Sequence, residues 1–274
     1  MSETPKPRVA YMGPAGTFSH MAARTAFPGE TTLETATIAE VIDRVAHGHA
    51  EFGVVPIENS IEGGVTATLD ALLDGTLHLS GELVIDVALC LVGLHADRAR
   101  FQRVLSHPQP LAQSRRWLAR ELPHAQPVAV ASTSAAAREA AGDESVAAIT
   151  HAEAAKLNGL VIVAENVQDR AGNATRFVIV GRDDAPPSGR DKTSLVFSTV
   201  HERGALRRAL AVFDDEGINL TRIESRPFPS KRWEYVFFTD LEGHRSDPPV
   251  SRALAALAAL GGEVRVLGSY PRAP

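Results

Sequence analysis

The sequence contains a single cysteine, few aromatic side chains and no excess of basic residues. Cys90 has no second cysteine to bond, which excludes an internal disulfide and a cysteine-based metal site, and the apolar run around it predicts a small buried side chain. The formal net charge is -5 at pH 7 with both signs interspersed, which argues against nucleic acid as a partner.

Long hydrophobic runs are also missing. No segment approaches the length of a transmembrane helix, so we expect no membrane partner. Residues 1–8 are polar and proline-rich, unlike a signal segment, and we therefore expect a cytoplasmic protein rather than a periplasmic receptor. We find no convincing Ser-His-Asp set, Cys-His pair or metal-ligand cluster, so we expect chemistry without a cofactor or a metal, built on hydrogen bonds.

What is present is the alternation of an α/β protein, in a chain whose 274 residues suit two domains. Short apolar runs alternate with helical patterns up to about residue 181, which predicts largely parallel sheets. The predicted strands are 8–12, 52–55, 82–94, 128–131, 146–149, 160–164 and 177–180. Ile38, Val41, Ile42 and Val45 share one face of a predicted helix that Thr37 would cap.

The segment DDAPPSG (183–189) has the composition of a linker. We therefore expect a first domain of residues 1–185, a linker of residues 186–191 and a second domain of residues 192–274. The second domain reads as strand (193–200), helix (204–216), strand (218–226), strand (233–240), helix (248–260) and strand (263–267). This βαββαβ order is typical of a ferredoxin-like fold.

A glycine-rich loop, Gly13–Ser19, directly follows the first predicted strand. Backbone N–H groups at such a strand–loop–helix junction can bind an anion, which would suit a carboxylate or phosphate substrate. The glycine spacing matches neither a phosphate-binding loop with Gly-Lys-Ser/Thr nor a dinucleotide fingerprint. An ordinary tight turn with a helix cap is the alternative interpretation.

Three further segments carry polar side chains at strand ends. Glu58, Asn59 and Ser60 follow a strand and would form a polar wall where α/β sheets bind ligands, although a second helix cap fits the same residues. His107 suggests a general base but lies beside a proline and would equally serve a structural role, while Gln109 and Gln113 share a helix face if both are helical.

The last of these segments is Asn173–Phe177, which opens the predicted strand 177–180. Arg176 would grip a carboxylate through two hydrogen bonds, and Thr175 would donate a hydrogen bond to a leaving oxygen. A turn with an exposed salt bridge is the alternative.

Together these segments resemble one family, the prephenate dehydratases. The matching segments, in the family's order, are GPAGTFSHMAA (13–23), VPIENSIEGGV (55–65), SHPQPLAQ (106–113), NATRFVIVGR (173–182), KTSLVF (192–197), GALRRAL (204–210), GINLTRIESRP (217–227) and LGSYP (267–271). Each segment is weak alone, but their combination across nearly the whole chain is specific. The C-terminal part resembles an ACT domain.

The resemblance implies a two-lobed catalytic domain similar to periplasmic binding proteins, with prephenate in the cleft and phenylpyruvate, water and carbon dioxide as products. It implies that Thr175, Glu58, Asn59 and Gln113 are catalytic, with a protonated Glu58 as a candidate proton source for Thr175. The substrate-binding residues it implies are Gly16, Thr17, Phe18, Ser19, Ser60, His107, Gln109, Asn173, Arg176 and Phe177.

The resemblance further implies feedback by L-phenylalanine at paired ACT domains and a homodimer or homotetramer held by the ACT and catalytic domains. The effector-binding residues it implies are Gly204, Ala205, Leu206, Asn219, Leu220, Glu224, Ser225, Arg226 and Pro227. Arg203 and His201 stand where the family usually has Pro and often Asn. No chorismate mutase domain is expected at the N-terminus. Arogenate dehydratase and a non-catalytic sensor of amino acids or carboxylates are the alternative functions.

Overall fold

The structure, a computed structural model, describes residues 8–228 and 234–273. The strands are β1 (Arg8–Met12), β2 (Thr31–Thr35), β3 (Phe52–Asn59), β4 (Gly63–Gly64), β5 (His78–Asp86), β6 (Cys90–Gly93), β7 (Arg103–Ser106), β8 (Gln126–Ala129), β9 (Val146–Thr150), β10 (Val161–Ala164), β11 (Ala174–Gly181), β12 (Asp191–Ser198), β13 (Leu220–Pro227), β14 (Tyr235–Glu242) and β15 (Val264–Pro271). The helices are α1 (Phe18–Ala26), α2 (Ile38–Ala46), α3 (Thr66–Asp74), α4 (Pro108–Gln113), α5 (Arg115–Glu121), α6 (Thr133–Ala140), α7 (Ala152–Leu157), α8 (Ala205–Asp215) and α9 (Pro248–Ala259).

The first lobe is built on a mixed sheet in the order β2-β1-β3-β11-β5, with β4 paired to β3. β1 runs parallel to β2 and β3, as expected for βαβ units. β11 is antiparallel to both of its neighbours, β3 and β5, because it returns from the second lobe. The prediction of largely parallel sheets is therefore wrong for this half of the sheet.

The second lobe contains the sheet β10-β6-β9-β7-β8. Here β7 pairs in parallel with β8 and β9, while β6 is antiparallel to β9 and β10. The predicted single strand 82–94 is in fact β5 of the first lobe and β6 of the second. An apolar run continues across the crossover because Val87 and Leu89 are buried in the core of the second lobe.

Helix α2 shows how local sequence builds these lobes. Its predicted apolar face, Ile38, Val41, Ile42 and Val45, is buried in the core of the first lobe. The Thr37 side chain accepts a hydrogen bond from the Glu40 backbone N–H at 3.1 Å, as the capping pattern predicts. Within residues 8–228 and 234–273, no helix combines the length and apolar character that a membrane span requires.

The C-terminal domain confirms the predicted βαββαβ order, with its sheet arranged β13-β14-β12-β15. Helices α8 and α9 cover one face of this sheet. The other face contributes Val236, Phe238 and Tyr270 to the same apolar cluster as the core of the first lobe. Trp233, where the predicted third strand of this domain begins, lies outside the described residues, and β14 starts at Tyr235.

The domain interface is tight. A Cβ atom added to Gly268 would lie 2.1 Å from the backbone oxygen of Leu79, so β15 packs directly on β5. The Arg265 guanidinium donates hydrogen bonds to the carbonyls of Leu72 and Gly75 at the end of α3. The C-terminal domain is therefore docked onto the first lobe through both apolar and polar contacts.

Candidate active site

Thr175 and Asn59 face each other across the pair β11–β3, where both strands reach the second lobe. The Asn59 side-chain amide donates to Thr175 Oγ1 at 3.0 Å and to Asn173 Oδ1 at 2.8 Å. Its carbonyl oxygen accepts from the backbone N–H groups of Ile61 and Glu62 at 3.0 and 3.2 Å. With both ends of its amide bound, Asn59 holds the Thr175 side chain against a defined turn.

Ser60 fixes the neighbouring backbone. Its hydroxyl accepts from the Ala174 N–H at 2.9 Å and donates to the Gly172 carbonyl at 3.2 Å. Predicted as part of the polar wall, Ser60 therefore ties the turn after β3 to the start of β11 and so holds Thr175 in place.

Gln113 connects this cluster to the second lobe. Asn173 Nδ2 donates to Gln113 Oε1 at 3.3 Å, so a chain of side-chain hydrogen bonds runs from Thr175 through Asn59 and Asn173 to Gln113. Asn173 and Gln113 line a cleft of about 600 Å³, and Gln109 lines it too. The structure thus joins four of the predicted site residues into one network, of which Gln113 and Asn173 line the cleft and Asn59 and Thr175 do not.

Three arginines that sequence reasoning missed also line this cleft: Arg115, Arg116 and Arg170. All three side chains are exposed, and they bring positive charge to the cleft. The only sequence signal is their position next to Gln113 and Asn173, which is weak because exposed arginines are common on protein surfaces.

The glycine-rich loop, which is predicted to bind substrate, makes hydrogen bonds within itself and caps a helix. The Ala15 N–H donates to Glu34 at 2.8 Å and the Gly16 N–H donates to His20 at 3.1 Å, so these two amides are occupied within the loop. Thr17 caps α1, which makes the turn-and-cap interpretation correct for this segment. Gly16, Thr17, Phe18 and Ser19 are not among the residues that line the cleft.

This loop instead contacts the second lobe. The Gly16 carbonyl accepts from Ser134 Oγ at 2.6 Å and from His151 Nε2 at 2.7 Å. The ring centroids of Phe18 and His151 lie 4.7 Å apart. Burial lowers the pKa of His151, which outweighs the opposite effect of the Gly16 carbonyl, and favours the neutral imidazole in this contact.

His107 serves as the cap of α4. Its Nδ1 accepts from the Gln109 N–H at 3.4 Å, and Pro108 occupies the first helical turn. The structural interpretation therefore accounts for His107, which is not among the residues that line the cleft.

Arg176 and Phe177, two predicted substrate contacts, are not among the residues that line the cleft. The Arg176 side chain is 12% exposed and its guanidinium is paired with Asp240 at 2.6 Å, Glu82 at 3.0 Å and Glu58 at 3.2 Å. Phe177 is 1% exposed and belongs to an apolar cluster with Val9. Side chains alternate along a strand, so Arg176 projects from the opposite face to Thr175.

Glu58 lies with Arg176 rather than with Thr175. Its carboxylate is 3.2 Å from the Arg176 guanidinium and 3.6 Å from that of Arg222. This position does not favour the prediction that Glu58 passes a proton to Thr175.

A second pocket, of about 510 Å³, lies in the C-terminal domain. Gly204, Ala205 and Leu206 line it together with His201, Arg203 and Tyr235. Gly204 precedes α8 with a φ of 76°, a left-handed conformation that glycine adopts without strain. Three of the predicted effector residues are therefore brought together at a pocket.

The other predicted effector residues lie at different places on and next to β13. Pro227 pairs with Tyr235, which places the Ser225–Pro227 end of the strand near this pocket. Glu224 instead bonds to Arg222 and lies against Gly64, and Arg226 bonds to Asp70 at 3.0 Å, so these two side chains contact the first lobe. Asn219 and Leu220 stand at the far end of β13, where Leu220 packs beneath the helices.

Comparison with known proteins agrees with this architecture. The prephenate dehydratase family model matches residues 9–185, and the ACT domain model matches residues 193–259. A bifunctional chorismate mutase/prephenate dehydratase from Aquifex aeolicus is 44% identical over 98% of this chain and 74% of its own length. A prephenate dehydratase from Amycolatopsis methanolica is 40% identical over 97% of this chain and 89% of its own.

Two solved structures are also similar. Prephenate dehydratase from Arthrobacter aurescens in complex with L-Phe has a TM-score of 0.88 and 35% identity over 97% of this chain and 90% of its own. A protein described as a novel type of quorum quenching acylase, GqqA, has the same TM-score and identity over 97% of this chain and 98% of its own.

The fold and the site define a two-lobed α/β enzyme joined to an amino-acid-sensing ACT domain. The chain belongs to the prephenate dehydratase family, and its activity is the decarboxylating dehydration of prephenate to phenylpyruvate, with feedback regulation through the ACT domain.

Proposed function

We propose that Thr175, held by Asn59, assists the departure of the ring hydroxyl of prephenate while arginines of the cleft bind its carboxylates. The observation that carries this proposal is the hydrogen-bond chain Thr175–Asn59–Asn173–Gln113, which reaches a cleft of about 600 Å³ at Asn173 and Gln113. A cleft between two lobes is a common place for a small-molecule site.

The chemistry requires two bonds to break. The bond from the ring to its carboxylate breaks and releases carbon dioxide, its electron pair moves into the ring, and the bond from the ring to the hydroxyl oxygen breaks at the opposite carbon. The leaving oxygen takes up a proton and departs as water. Aromatisation provides the driving force, so the protein has to bind two carboxylates and stabilise the leaving oxygen.

Thr175 is suited to stabilise the leaving oxygen because of the way Asn59 holds its hydroxyl. Its oxygen accepts the Asn59 amide hydrogen at 3.0 Å, so its own O–H hydrogen can be donated to a substrate oxygen. A threonine hydroxyl is too weak an acid to supply a whole proton, so Thr175 donates a hydrogen bond or relays a proton from a bound water.

The two carboxylates of prephenate are bound by the arginines that line the cleft. Arg115, Arg116 and Arg170 carry the positive charge that a doubly anionic substrate requires, and a guanidinium binds a carboxylate through two parallel hydrogen bonds. Gln109 and Gln113 are placed to bind the polar groups of the pyruvyl chain. These assignments replace Arg176 as the carboxylate-binding residue.

The regulatory site that we propose is the pocket at Gly204, Ala205 and Leu206, with Ser225 and Pro227 at its margin and L-phenylalanine as the effector. A relative of the same fold is described in complex with L-Phe. β13 is the edge strand of its sheet, and Ile223 and Tyr235 beside it are 46% and 48% exposed. We propose that two ACT domains pair along this edge in a homodimer, with a tetramer formed through the catalytic domains.

We also keep the division into residues 1–185, 186–191 and 192–274, although β12 already begins at Asp191. We propose the cytoplasm as the compartment, since the curated relatives carry the names of metabolic enzymes.

Two other activities are tested in the same experiment. Arogenate differs from prephenate in carrying an amino group in place of the keto oxygen of the side chain, and the cleft geometry is compatible with both. An acylase activity is a candidate because GqqA covers nearly the whole fold. Against it, the Ser60 hydroxyl is bound to the backbone at Gly172 and Ala174 rather than to a histidine.

The deciding experiment mixes the purified full chain with prephenate and follows phenylpyruvate by its absorbance in alkali, with and without L-phenylalanine. Arogenate and an N-acyl amide are assayed in parallel. We expect turnover of prephenate that L-phenylalanine changes. Turnover of arogenate or the amide with no turnover of prephenate would overturn the proposal, and so would binding of prephenate without any product, which would identify a sensor.

A further inference from the structure

Seven charged side chains meet between the first lobe and the ACT domain, and we call them the interdomain charge cluster. The first lobe supplies Glu58, Glu82 and Arg176, and the ACT domain supplies Lys192, Arg222, Glu224 and Asp240. The cluster lies outside the cleft, and the proposed chemistry uses none of its members.

Arg176 is the centre of this cluster. Its guanidinium is 3.0 Å from Glu82 in its own lobe and 2.6 Å from Asp240 in the ACT domain. Lys192 of the ACT domain forms a second ion pair with Glu82, and its ammonium lies 2.8 Å from that carboxylate. Asp240 also accepts from Ser194 at 2.6 Å, so its carboxylate is held within the ACT sheet.

These groups are removed from water. The side chains of Glu82 and Asp240 are 2% and 3% exposed, and that of Arg176 is 12% exposed. A buried ion pair gains little when complete, but the loss of one partner leaves an unpaired buried charge, which is strongly unfavourable. The cluster therefore allows Arg176 few alternative positions while the ACT domain stays docked.

The cluster is adjacent in sequence and in register to the proposed catalytic pair. Arg176 pairs with Glu58 across β11 and β3, and the next pair along the same two strands is Thr175 with Asn59. Arg176 and Glu58 face the ACT domain. Thr175 and Asn59 belong to the hydrogen-bond chain that reaches the cleft. The two pairs are therefore joined directly through the backbones of β11 and β3.

We propose that Arg176 is a positioning residue, through which the docked ACT domain holds Thr175 in its working place. Asp240 is the ACT-domain side chain that holds Arg176, and Arg222 acts on Glu58 in the same way. This inference rests on the proposed role of Thr175, and it assigns to Arg176 a function in aligning the transition state rather than in binding the substrate.

The test separates kcat from KM in the full chain with prephenate as substrate. Arg176→Gln and Asp240→Asn are each expected to lower kcat by roughly 10-fold or more with KM changed less than about 3-fold, as for an interaction that matters only in the transition state. The double variant is expected to be no slower than the slower single variant, because both remove the same contact. Arg176→Lys is expected to recover part of kcat.

The matched control is Arg252→Gln, which removes an ion pair of the same ACT domain, with Glu216 at 2.7 Å and the arginine 60% exposed. This variant is expected to keep the wild-type kcat. A carboxylate-binding role for Arg176 would instead raise KM in Arg176→Gln and leave Asp240→Asn unchanged, which would overturn the inference. A normal kcat in Asp240→Asn alone would also overturn it.

If Asp240→Asn does not fold, Gly268→Ala provides the second test. A Cβ atom on Gly268 would lie 2.1 Å from the backbone oxygen of Leu79, which cannot turn aside as a side chain can, so this change opposes docking without removing a charge. The same fall in kcat is expected, and a wild-type kcat in this variant would count against the inference. Failure of the wild-type chain to turn over prephenate would reject the proposed function itself, which the wild-type assay reveals before any variant is made.

Discussion

Thr175 depends on its neighbours for whatever chemistry it performs, because a threonine hydroxyl has no special acidity of its own. The Asn59 side chain makes five hydrogen bonds within 3.2 Å, to Thr175, Asn173, the Ala174 carbonyl and the turn at Ile61 and Glu62. Such a fully bound amide fixes the direction of the hydroxyl lone pairs and hydrogen. At the scale of single residues, the site is a preorganised donor beside a cleft that three arginines and two carboxylates, Glu62 and Asp169, line.

The first prediction concerns Thr175 itself. Thr175→Ala is expected to lower kcat by on the order of 10²–10⁴-fold, typical of a lost proton-transfer partner, while KM changes less. Thr175→Ser, which retains the hydroxyl, is the matched control and should retain most of the activity. Steady-state kinetics with prephenate give both constants, and near-normal turnover in the alanine variant would remove Thr175 from the chemistry.

The second prediction concerns the cleft arginines. Arg170→Gln is expected to raise KM for prephenate by about 10-fold, since a charged hydrogen bond contributes about 1.5–3 kcal/mol. Arg138→Gln, an exposed change on α6 away from the residues that line the cleft, is the control. An unchanged KM in Arg170→Gln would exclude this residue from carboxylate binding.

At the scale of elements, two segments connect parts of the molecule that the sequence separates widely. The loop before α1 is held by Ser134 and His151 of the second lobe, 118 and 135 residues away. β13 contacts the first lobe with Glu224 and Arg226, while Ser225 and Pro227 lie toward the pocket of the ACT domain. The loop before α1 therefore connects the two lobes, and β13 connects the first lobe to the pocket of the ACT domain.

The third prediction follows from His151. Burial holds its folded pKa below the ordinary value of 6.5, so the unfolded chain binds more protons at pH values between the folded pKa and 6.5. The free energy of unfolding is therefore expected to fall as the pH drops below about 6.5. This loss should be smaller in His151→Gln than in the wild type.

Denaturant unfolding at pH 7 and pH 5 measures the difference. Other groups contribute to the pH dependence of both proteins, so only the difference between wild type and variant reports on His151. His124→Gln, at an exposed histidine, is the control and should show the wild-type loss. Equal losses in His151→Gln and the wild type would contradict the prediction.

At the scale of the whole molecule, the catalytic and ACT domains share apolar and charged contacts and an open sheet edge remains at β13. An unprotected edge strand with exposed apolar side chains pairs readily with another strand. The proposed dimer would cover Ile223 and Tyr235 and complete the effector pocket from two chains.

The fourth prediction tests that dimer. Ile223→Lys places a charge in the proposed pairing surface and is expected to shift the protein to monomers and to weaken L-phenylalanine binding, measured by sedimentation and calorimetry. Val161→Lys, at an exposed position of β10 in the second lobe, is the control and should leave both unchanged. A dimer of unchanged stability in Ile223→Lys would reject pairing along β13.

Local patterns were sufficient for much of this protein. The capped helix α2, the ferredoxin-like order of the C-terminal domain and the proximity of Asn59, Asn173 and Thr175 are consistent with short-range periodicity, turn chemistry and the placement of polar residues at strand ends. The matches to the prephenate dehydratase and ACT families confirm the resemblance that those segments carried.

Tertiary structure alone decided the partners of side chains that any local pattern leaves open. Arg176 next to Thr175 looks like a carboxylate ligand in sequence, but the docking of β14 brings Asp240 to it from 64 positions away. The docking of β12 likewise brings Lys192 to Glu82, the other partner of Arg176. The run 82–94 divides between two lobes because the chain crosses there, although hydrophobicity continues. Sequence periodicity reports which face of a segment is buried; it cannot report what that face meets.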